Sequence, residues 1–185
     1  VDESKPVEDL LPDPVEKLQD LRNKRNMNII MPIDLYGEER HNSKGMDLTD
    51  INQLMPLKNN LDAWVADNIT APIDNDPELI SVLNPVNHSE QVGSLKYHTA
   101  EDMQGIVTRA ESAFGEWANT PVKERANLLR RTADIMERHS DELIALCIKE
   151  AGKLTQDSID EIREAVDFCR YYAARAEELA EDTRM

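Results

Sequence analysis

Proline is concentrated in the first part of the chain. Seven of the nine prolines lie at or before residue 77, within a polar stretch. Because a proline inside a helix removes a backbone donor and clashes with the preceding turn, only short helices fit between them. Beyond residue 77 only Pro85 and Pro121 remain, and long helices become allowed. The pattern predicts a connector at 1–77 followed by a mainly helical part at 78–185.

Two short helices are predicted within the connector. Asp13-Pro14 is typical of an N-cap followed by proline at the first helical position, and the apolar residues after it predict a helix from about 14 to 25. Further on, apolar residues step by three or four, which predicts a second amphipathic helix. These residues are Leu48, Ile51, Leu54, Leu57, Leu61 and Trp64. Pro56 is expected to kink or break that helix.

The second part begins with a predicted β-hairpin at about 79–97. Two short β-prone runs flank residues 84–89, which favour a turn. A lone hairpin is marginally stable in water. Its outer edge is therefore expected to pair with residues outside this chain or with a second copy.

Three longer helices are predicted after the hairpin, at about 100–118, 121–151 and 156–182. Thr99, Thr120-Pro121 and Thr155 supply start signals, Ser140 offers a second cap or a bend, and Gly152 ends the second helix. Short loops between them predict an antiparallel packed layer. The predicted fold class is thus mainly α, with short connector helices, one hairpin and three packed helices.

Charge and composition exclude several classes of function. The formal net charge of −16, from 37 acidic and 21 basic residues, disfavours nucleic-acid binding. The chain has no apolar run near the ~20 residues of a membrane span and no signal-peptide pattern, so we expect a cytoplasmic protein without a transmembrane segment. Cys147 and Cys169 lie on apolar helix faces, where reduced core residues are expected.

Metal and nucleotide sites are not expected either. The four histidines, His41, His88, His98 and His139, stand apart without helical ligand partners. No glycine-rich phosphate loop occurs. The arginines of the second long helix alternate with acids, which predicts a salt-bridged exposed face. They are Arg125, Arg130, Arg131 and Arg138.

The last helix carries aromatic residues outside its main apolar stripe. Phe168, Tyr171 and Tyr172 extend beyond the surface that two neighbouring helices would cover, so another partner is expected to bury them. Glu164 lies one turn before Phe168 on the same flank. The spacing alone allows a solvated acidic edge as well as a binding site.

Motifs through the whole chain resemble one enzyme family. From residue 79 the chain is similar to the N-terminal part of the aldehyde dehydrogenase superfamily, and 164–173 resembles its pyrroline-5-carboxylate (glutamate semialdehyde) dehydrogenase branch. The connector resembles the stretch that joins the two enzymes in the bifunctional proline utilization A family. The motifs are Asp34-Leu35-Tyr36-Gly37, Asn42-Ser43, Asp47-Leu48, Asn84-Pro85, Phe114-Gly115-Glu116-Trp117, Glu124-Arg125, Leu128-Leu129, Glu150-Ala151-Gly152-Lys153, Glu164-Ala165-Val166-Asp167-Phe168 and Arg170-Tyr171-Tyr172-Ala173.

The resemblance implies a fragment of a larger α/β enzyme. Such a parent oxidises proline on an FAD-containing barrel, expected before Val1, and oxidises glutamate semialdehyde with NAD and a cysteine thiolate, expected after Met185. The fragment is then expected to be inactive, with no catalytic, cofactor-binding or metal-binding residue of its own and the remainder of the parent as its main partner. A homodimeric parent is implied, and peripheral membrane association of that parent stays open.

The resemblance also gives Glu164 and Phe168 a role. Glu164 matches an acidic residue that borders the semialdehyde pocket and contacts the substrate amino group, and Phe168 lies one turn further on. Both are candidate substrate-binding residues. The alternative function is a freestanding acidic helical adaptor that binds a partner helix, with self-association through the hairpin or the exposed aromatic residues.

Overall fold

The computed structural model describes residues 26–69 and 78–182, together with five isolated residues before 26. The fold is mainly helical with one antiparallel hairpin, as predicted. Its elements are a 3-10 turn (Pro32–Asp34), α1 (Ile51–Asn68), β1 (Ile80–Leu83), β2 (Gln91–Leu95), α2 (Ala100–Asn119), α3 (Val122–Arg138), α4 (Ser140–Ala151) and α5 (Thr155–Asp182). The helix predicted at 14–25 lies almost entirely outside the described residues.

Helix α1 begins at a side-chain cap and continues through its proline. The Asp50 carboxylate accepts a hydrogen bond from the Asn52 backbone N–H at 2.9 Å, which satisfies one of the free donors of the first turn. Of the kink or break expected at Pro56, the break is wrong, because the helix is continuous to Asn68, and the kink stays a prediction. Leu57 is buried on the face that meets α4.

The hairpin pairs Ile80 with Leu95 and has an irregularity between Val82 and Leu83. Its loop is closed by the Asn84 N–H donating to the Glu90 carbonyl at 3.0 Å. The Glu90 carboxylate in turn accepts from Lys149 at 3.0 Å. This ion pair attaches the loop to the end of α4.

Helix α2 does not join the packed layer that the sequence predicts. None of its residues is buried, and along its length it makes no extensive contact with another described element. Near its end, the Trp117 ring lies 5.8 Å from the Arg125 guanidinium of α3. Residues Met103, Val107 and Phe114 of its apolar stripe are exposed.

The helix expected at 121–151 is divided at His139. This residue has φ −104° and ψ 20° and separates α3 from α4. Ser140 begins α4, and Asp141 and Glu142 in the first turn favour a helix start through the helix dipole. At the other end Gly152 takes the left-handed conformation, φ 66°, that terminates a helix.

The core lies where α5 packs against α3 and α4, with α1 against α4. Small buried residues, Ala126, Ala133 and Ala173, allow the backbones of α3 and α5 to approach closely. A second cluster is formed by Leu57, Ile144 and Ile159, with Met46, Leu48, Leu61, Ile148 and Ile162 packed around it. Connector residues therefore share one core with the helices that follow residue 78.

Candidate functional site

The two predicted substrate-binding residues lie on the exposed face of α5. Val166, between them in sequence, is fully buried, so Glu164 and Phe168 point to the opposite side of the helix. Glu164 is exposed and makes no hydrogen bond or ion pair with the described residues. A carboxylate in this state is available to a ligand of positive charge.

Aromatic rings continue this face beyond Glu164. Phe168 is 51% exposed and lies 6.0 Å from Tyr172, centroid to centroid. Tyr172 meets Tyr171 edge-on at 5.3 Å. The burial that the sequence predicts for these rings is not supplied by the described part of the chain. They form an apolar patch beside an unpaired acid.

A connector segment lies along one flank of α5. We call residues 39–45 the strap. The Asp167 carboxylate accepts hydrogen bonds from the Ser43 N–H and the Ser43 hydroxyl, both at 2.8 Å, and from the Arg40 guanidinium at 3.4 Å. Ser43 is buried. Charge-assisted hydrogen bonds of this kind contribute about 1.5–3 kcal/mol each, so Asp167 is the main polar anchor of the strap.

A second carboxylate holds the next residue of the strap. Glu137 on α3 accepts the Lys44 N–H at 3.0 Å and two hydrogen bonds from Arg170, at 2.8 and 3.2 Å. Burial by itself would raise the pKa of Glu137, but the hydrogen bonds from Arg170 and Lys44 lower it overall below its usual range. Glu137 is therefore ionised at neutral pH and joins α3, α5 and the strap.

The strap runs antiparallel to α5, and its contacts recur once per helical turn. Glu39 pairs with Arg175 at 2.8 Å, and the Arg40 guanidinium lies 6.0 Å from the Tyr171 ring. Ser43 then bonds Asp167, and Gly45 lies against Arg163. The helix residues involved are Arg163, Asp167, Tyr171 and Arg175. Their spacing of four places them on one side of α5.

Beneath the strap lies a mostly apolar cavity of about 210 Å³. Its walls include Met46, Ile144, Ile159 and Val166. Incomplete packing below a segment reduces the dispersion and hydrophobic energy that hold it down. The carboxylate anchors are correspondingly more important for keeping the strap in place.

The cysteines and histidines do not assemble into a reactive or metal-binding site in the part of the chain described. Burial raises the pKa of the Cys147 thiol, which disfavours a nucleophilic thiolate. Both cysteines are unpaired and half-buried rather than core residues. Within the described ranges, no group of three or more His, Cys, Asp or Glu side chains could hold a metal ion.

The described residues do not fit the phosphates of a dinucleotide. A pyrophosphate needs free backbone amides at a helix N-terminus, commonly after a glycine-rich turn. Here the first turns of α2, α3, α4 and α5 all carry carboxylates, which repel such an anion, and at the start of α1 the Asp50 carboxylate itself takes a free amide. No described helix is both long enough and apolar enough to cross a bilayer.

Sequence patterns did not identify the strap or its anchors. Asp167 and Glu137 have the spacing of ordinary surface acids, and Arg170 was expected only as part of a motif. The arginine face of α3 was expected to be exposed and salt-bridged, but the partners could not be named. Arg130 donates to Glu177 of α5 at 3.1 Å, and Asp134 and Glu137 pair with Arg170 of α5.

Comparison with known proteins gives consistent matches. Residues 73–185 match the aldehyde dehydrogenase family. The chain is 35% identical to the bifunctional protein PutA of Salmonella typhimurium over 94% of its length, and it spans 14% of that relative. A crystal structure of bifunctional proline utilization A superposes with a TM-score of 0.65 at 30% identity, covering 91% of this chain and 15% of that one.

A dehydrogenase structure also superposes. The 1-pyrroline-5-carboxylate dehydrogenase from Thermus, solved with bound NAD, gives a TM-score of 0.62 at 25% identity. The match covers 72% of this chain and 27% of the Thermus chain. This chain therefore spans about a seventh to a quarter of the proteins it resembles.

Proposed function

Because this chain belongs to the aldehyde dehydrogenase family, we propose that it is a segment of a bifunctional enzyme that oxidises proline to glutamate. In this proposal an upstream FAD-dependent proline dehydrogenase produces pyrroline-5-carboxylate, which hydrolyses to glutamate semialdehyde. An NAD-dependent dehydrogenase then oxidises the semialdehyde. The segment contributes the connector between the two enzymes and the first hairpin and helices of the second.

The observation that carries the proposal is the similarity to PutA proteins across both halves of the chain. A match to aldehyde dehydrogenases alone would involve only residues 73–185. The similarity to the Salmonella protein instead covers 94% of the chain, which includes most of the connector. The connector and the helices also share one core, as expected if they belong to one unit of a longer enzyme.

The candidate chemistry of the segment is substrate recognition by Glu164. Glutamate semialdehyde carries an ammonium group, and an ammonium that leaves water needs an opposing charge. Glu164 is an exposed carboxylate one turn before Phe168, and Phe168 in turn lies beside Tyr172. Once the rest of the enzyme covers this face, the rings would exclude water and strengthen the attraction between the ammonium and the carboxylate.

Assays of two proteins test whether the aldehyde oxidation requires residues outside this chain. We expect the full-length protein to reduce NAD when supplied with glutamate semialdehyde, and the purified 185-residue chain to show no turnover. Turnover by the chain alone would mean that its own residues perform the chemistry. Absence of aldehyde oxidation by the full-length protein would contradict the proposed function.

The role of Glu164 is tested by Glu164→Ala in the full-length protein. We expect kcat/KM for glutamate semialdehyde to fall about 10- to 100-fold, because a charge-assisted contact to the ammonium is lost. Activity on propanal, which has no ammonium, should change less than about twofold. Glu181→Gln on the same helix is the control. Equal losses on both aldehydes would remove Glu164 from the substrate site.

The adaptor alternative rests on the exposed apolar face of α2. Phe114 is 67% exposed and Trp117 is 49% exposed, as expected for a surface that binds a partner. In the enzyme proposal that partner is the remainder of the parent chain. A gene whose coding sequence ends at both termini of this chain would favour the adaptor.

A further inference from the structure

The strap is attached to the same helix that carries the proposed substrate acid. Asp167, which holds the strap, lies three residues after Glu164 and immediately before Phe168. The stripe that contacts the strap, from Arg163 to Arg175, borders the face on which Glu164 and Phe168 lie. The connector is therefore adjacent to the proposed site.

A continuous series of ring contacts joins the strap to Phe168. The Arg40 guanidinium stacks on Tyr36 at 3.6 Å and lies 6.0 Å from Tyr171. Tyr171 packs against Tyr172, and Tyr172 against Phe168. Arg40 shares the Tyr171 ring with Arg175, whose guanidinium lies 5.7 Å from the ring centroid and which itself pairs with Glu39 of the strap. The position of the strap is thus connected to the aromatic patch by direct packing.

Asp167 determines where Arg40 and the strap lie. Its two oxygens accept hydrogen bonds from Arg40 and Ser43. When the side-chain amide of Asn42 is oriented with its nitrogen toward Asp167, it also donates to both oxygens, at 3.1 and 3.2 Å. Three strap residues therefore converge on one carboxylate. None of these contacts is required for α5 to be helical.

We propose that Asp167 is a positioning residue for aldehyde binding: it seats the strap along α5 and thereby fixes the arginine and tyrosine side chains beside Glu164 and Phe168. This inference rests on the proposed function, because it assigns the face of α5 to the aldehyde site. Asp167 itself does not touch the substrate. It acts through Arg40 and the rings that follow.

The first test measures the strap directly in the 185-residue chain. The Ser43 and Lys44 amides donate to Asp167 and Glu137, so their hydrogen exchange reports the seating of the strap. We expect Asp167→Ala to accelerate exchange of the Ser43 amide at least about tenfold, and Glu181→Gln to leave it unchanged. Unchanged exchange in Asp167→Ala would overturn the proposal.

The second test measures kinetics in the full-length protein. For Asp167→Ala we expect KM for glutamate semialdehyde to rise about five- to tenfold, with kcat within about twofold and KM for NAD unchanged. Asp167→Asn, which keeps one acceptor oxygen, should give an intermediate KM. A fall in kcat with unchanged aldehyde KM would indicate a general structural defect and overturn the positioning role.

A double-mutant cycle separates the strap contact from effects inside the helix. Ser43→Ala removes a hydroxyl donor without altering α5 and should raise the aldehyde KM in the same direction but by less. The Ser43→Ala/Asp167→Ala double variant should have the same aldehyde KM as Asp167→Ala alone, because the hydrogen bond of the Ser43 hydroxyl is already lost when Asp167 is replaced. Additive effects would overturn the proposal. Should Asp167→Ala fail to fold, Ser43→Ala with its exchange and KM values decides the question.

These outcomes distinguish the inference from the function on which it rests. If wild-type full-length protein lacks aldehyde activity, the proposed function fails, and the inference fails with it whatever the exchange data show. If the wild type is active and the strap variants bind the aldehyde normally, only the inference fails.

Discussion

Gly152 shows how a single residue joins two elements of this fold. It ends α4 with φ +66°, and a Cβ built on it would lie 3.1 Å from the Pro85 ring of the hairpin loop. Residues other than glycine rarely adopt this backbone conformation. Here the absence of a side chain is also what allows the loop to approach α4.

Gly152→Ala should therefore destabilise the protein. We expect a loss of about 1–2 kcal/mol in the free energy of unfolding, from left-handed strain together with the contact to Pro85. Urea denaturation followed by circular dichroism measures it. Gly115→Ala is the control, since a Cβ there meets nothing within 4 Å. Equal or smaller loss in Gly152→Ala than in the control would contradict this explanation.

At the scale of elements, α3 and α5 are joined by ion pairs as well as by apolar packing. Arg170 is mostly buried and bonds Glu137, which also holds the strap. Despite opposing desolvation, these hydrogen bonds lower the pKa of Glu137 from its ordinary value of 4.5. The contribution of Glu137 to stability is thus complete above pH 4.5 and is lost as the pH falls through its lower folded-state pKa.

Glu137→Gln should reveal this pH dependence. We expect the variant to be about 1–3 kcal/mol less stable than the wild type at pH 7. The difference should shrink as the pH falls below 4.5 and the wild-type carboxylate becomes protonated. Urea denaturation at pH 7 and at a series of pH values below 4.5 measures it, with Glu181→Gln as control. A difference that does not depend on pH would show that the charge of Glu137 is not responsible.

Sequence periodicity predicted the helices better than it predicted their partners. The stripes of α4 and α5 largely face the core, because spacing of three or four residues directly reports a helix face, whereas Leu128, Leu129 and Ile135 of the predicted α3 stripe are exposed. Periodicity carries no information on whether a partner lies within the chain, so α2 was expected in a layer that it does not join. The strap was missed because single backbone amides bound to Asp167 and Glu137 leave no pattern.

The candidate site was predicted only in part. The resemblance selected Glu164 and Phe168, and the structure places both on one exposed face of α5. Their role in binding stays a prediction. The contribution of Asp167 could not be read from spacing, since its partners, Arg40 and Ser43, are more than 120 residues away in sequence.

At the scale of the whole molecule, the residues that the structure describes include a packed unit of helices and a helix, α2, that lies outside it. Helices α1, α3, α4 and α5 bury side chains in common, whereas α2 buries none. Most helical stability in proteins comes from packing of an apolar face. Opening of α2 should thus cost far less free energy than opening of the packed unit.

Hydrogen exchange of the 185-residue chain tests this difference. We expect the amides of α2 to exchange at least about 100-fold faster than those near Val166 in α5. Mass spectrometry of peptides from both helices measures the rates, and a tenfold dilution of the protein provides the control for association. Equal protection that persists on dilution would mean that α2 is packed within the chain.

The antiparallel course of the strap has a mechanical consequence. The end of the strap nearest the N-terminus lies at Arg175, and successive contacts follow toward Arg163. A pull through Gly37 directed away from the α5 axis would load these contacts one after another, beginning with Glu39 and Arg175. A pull directed along the helix axis would load them together.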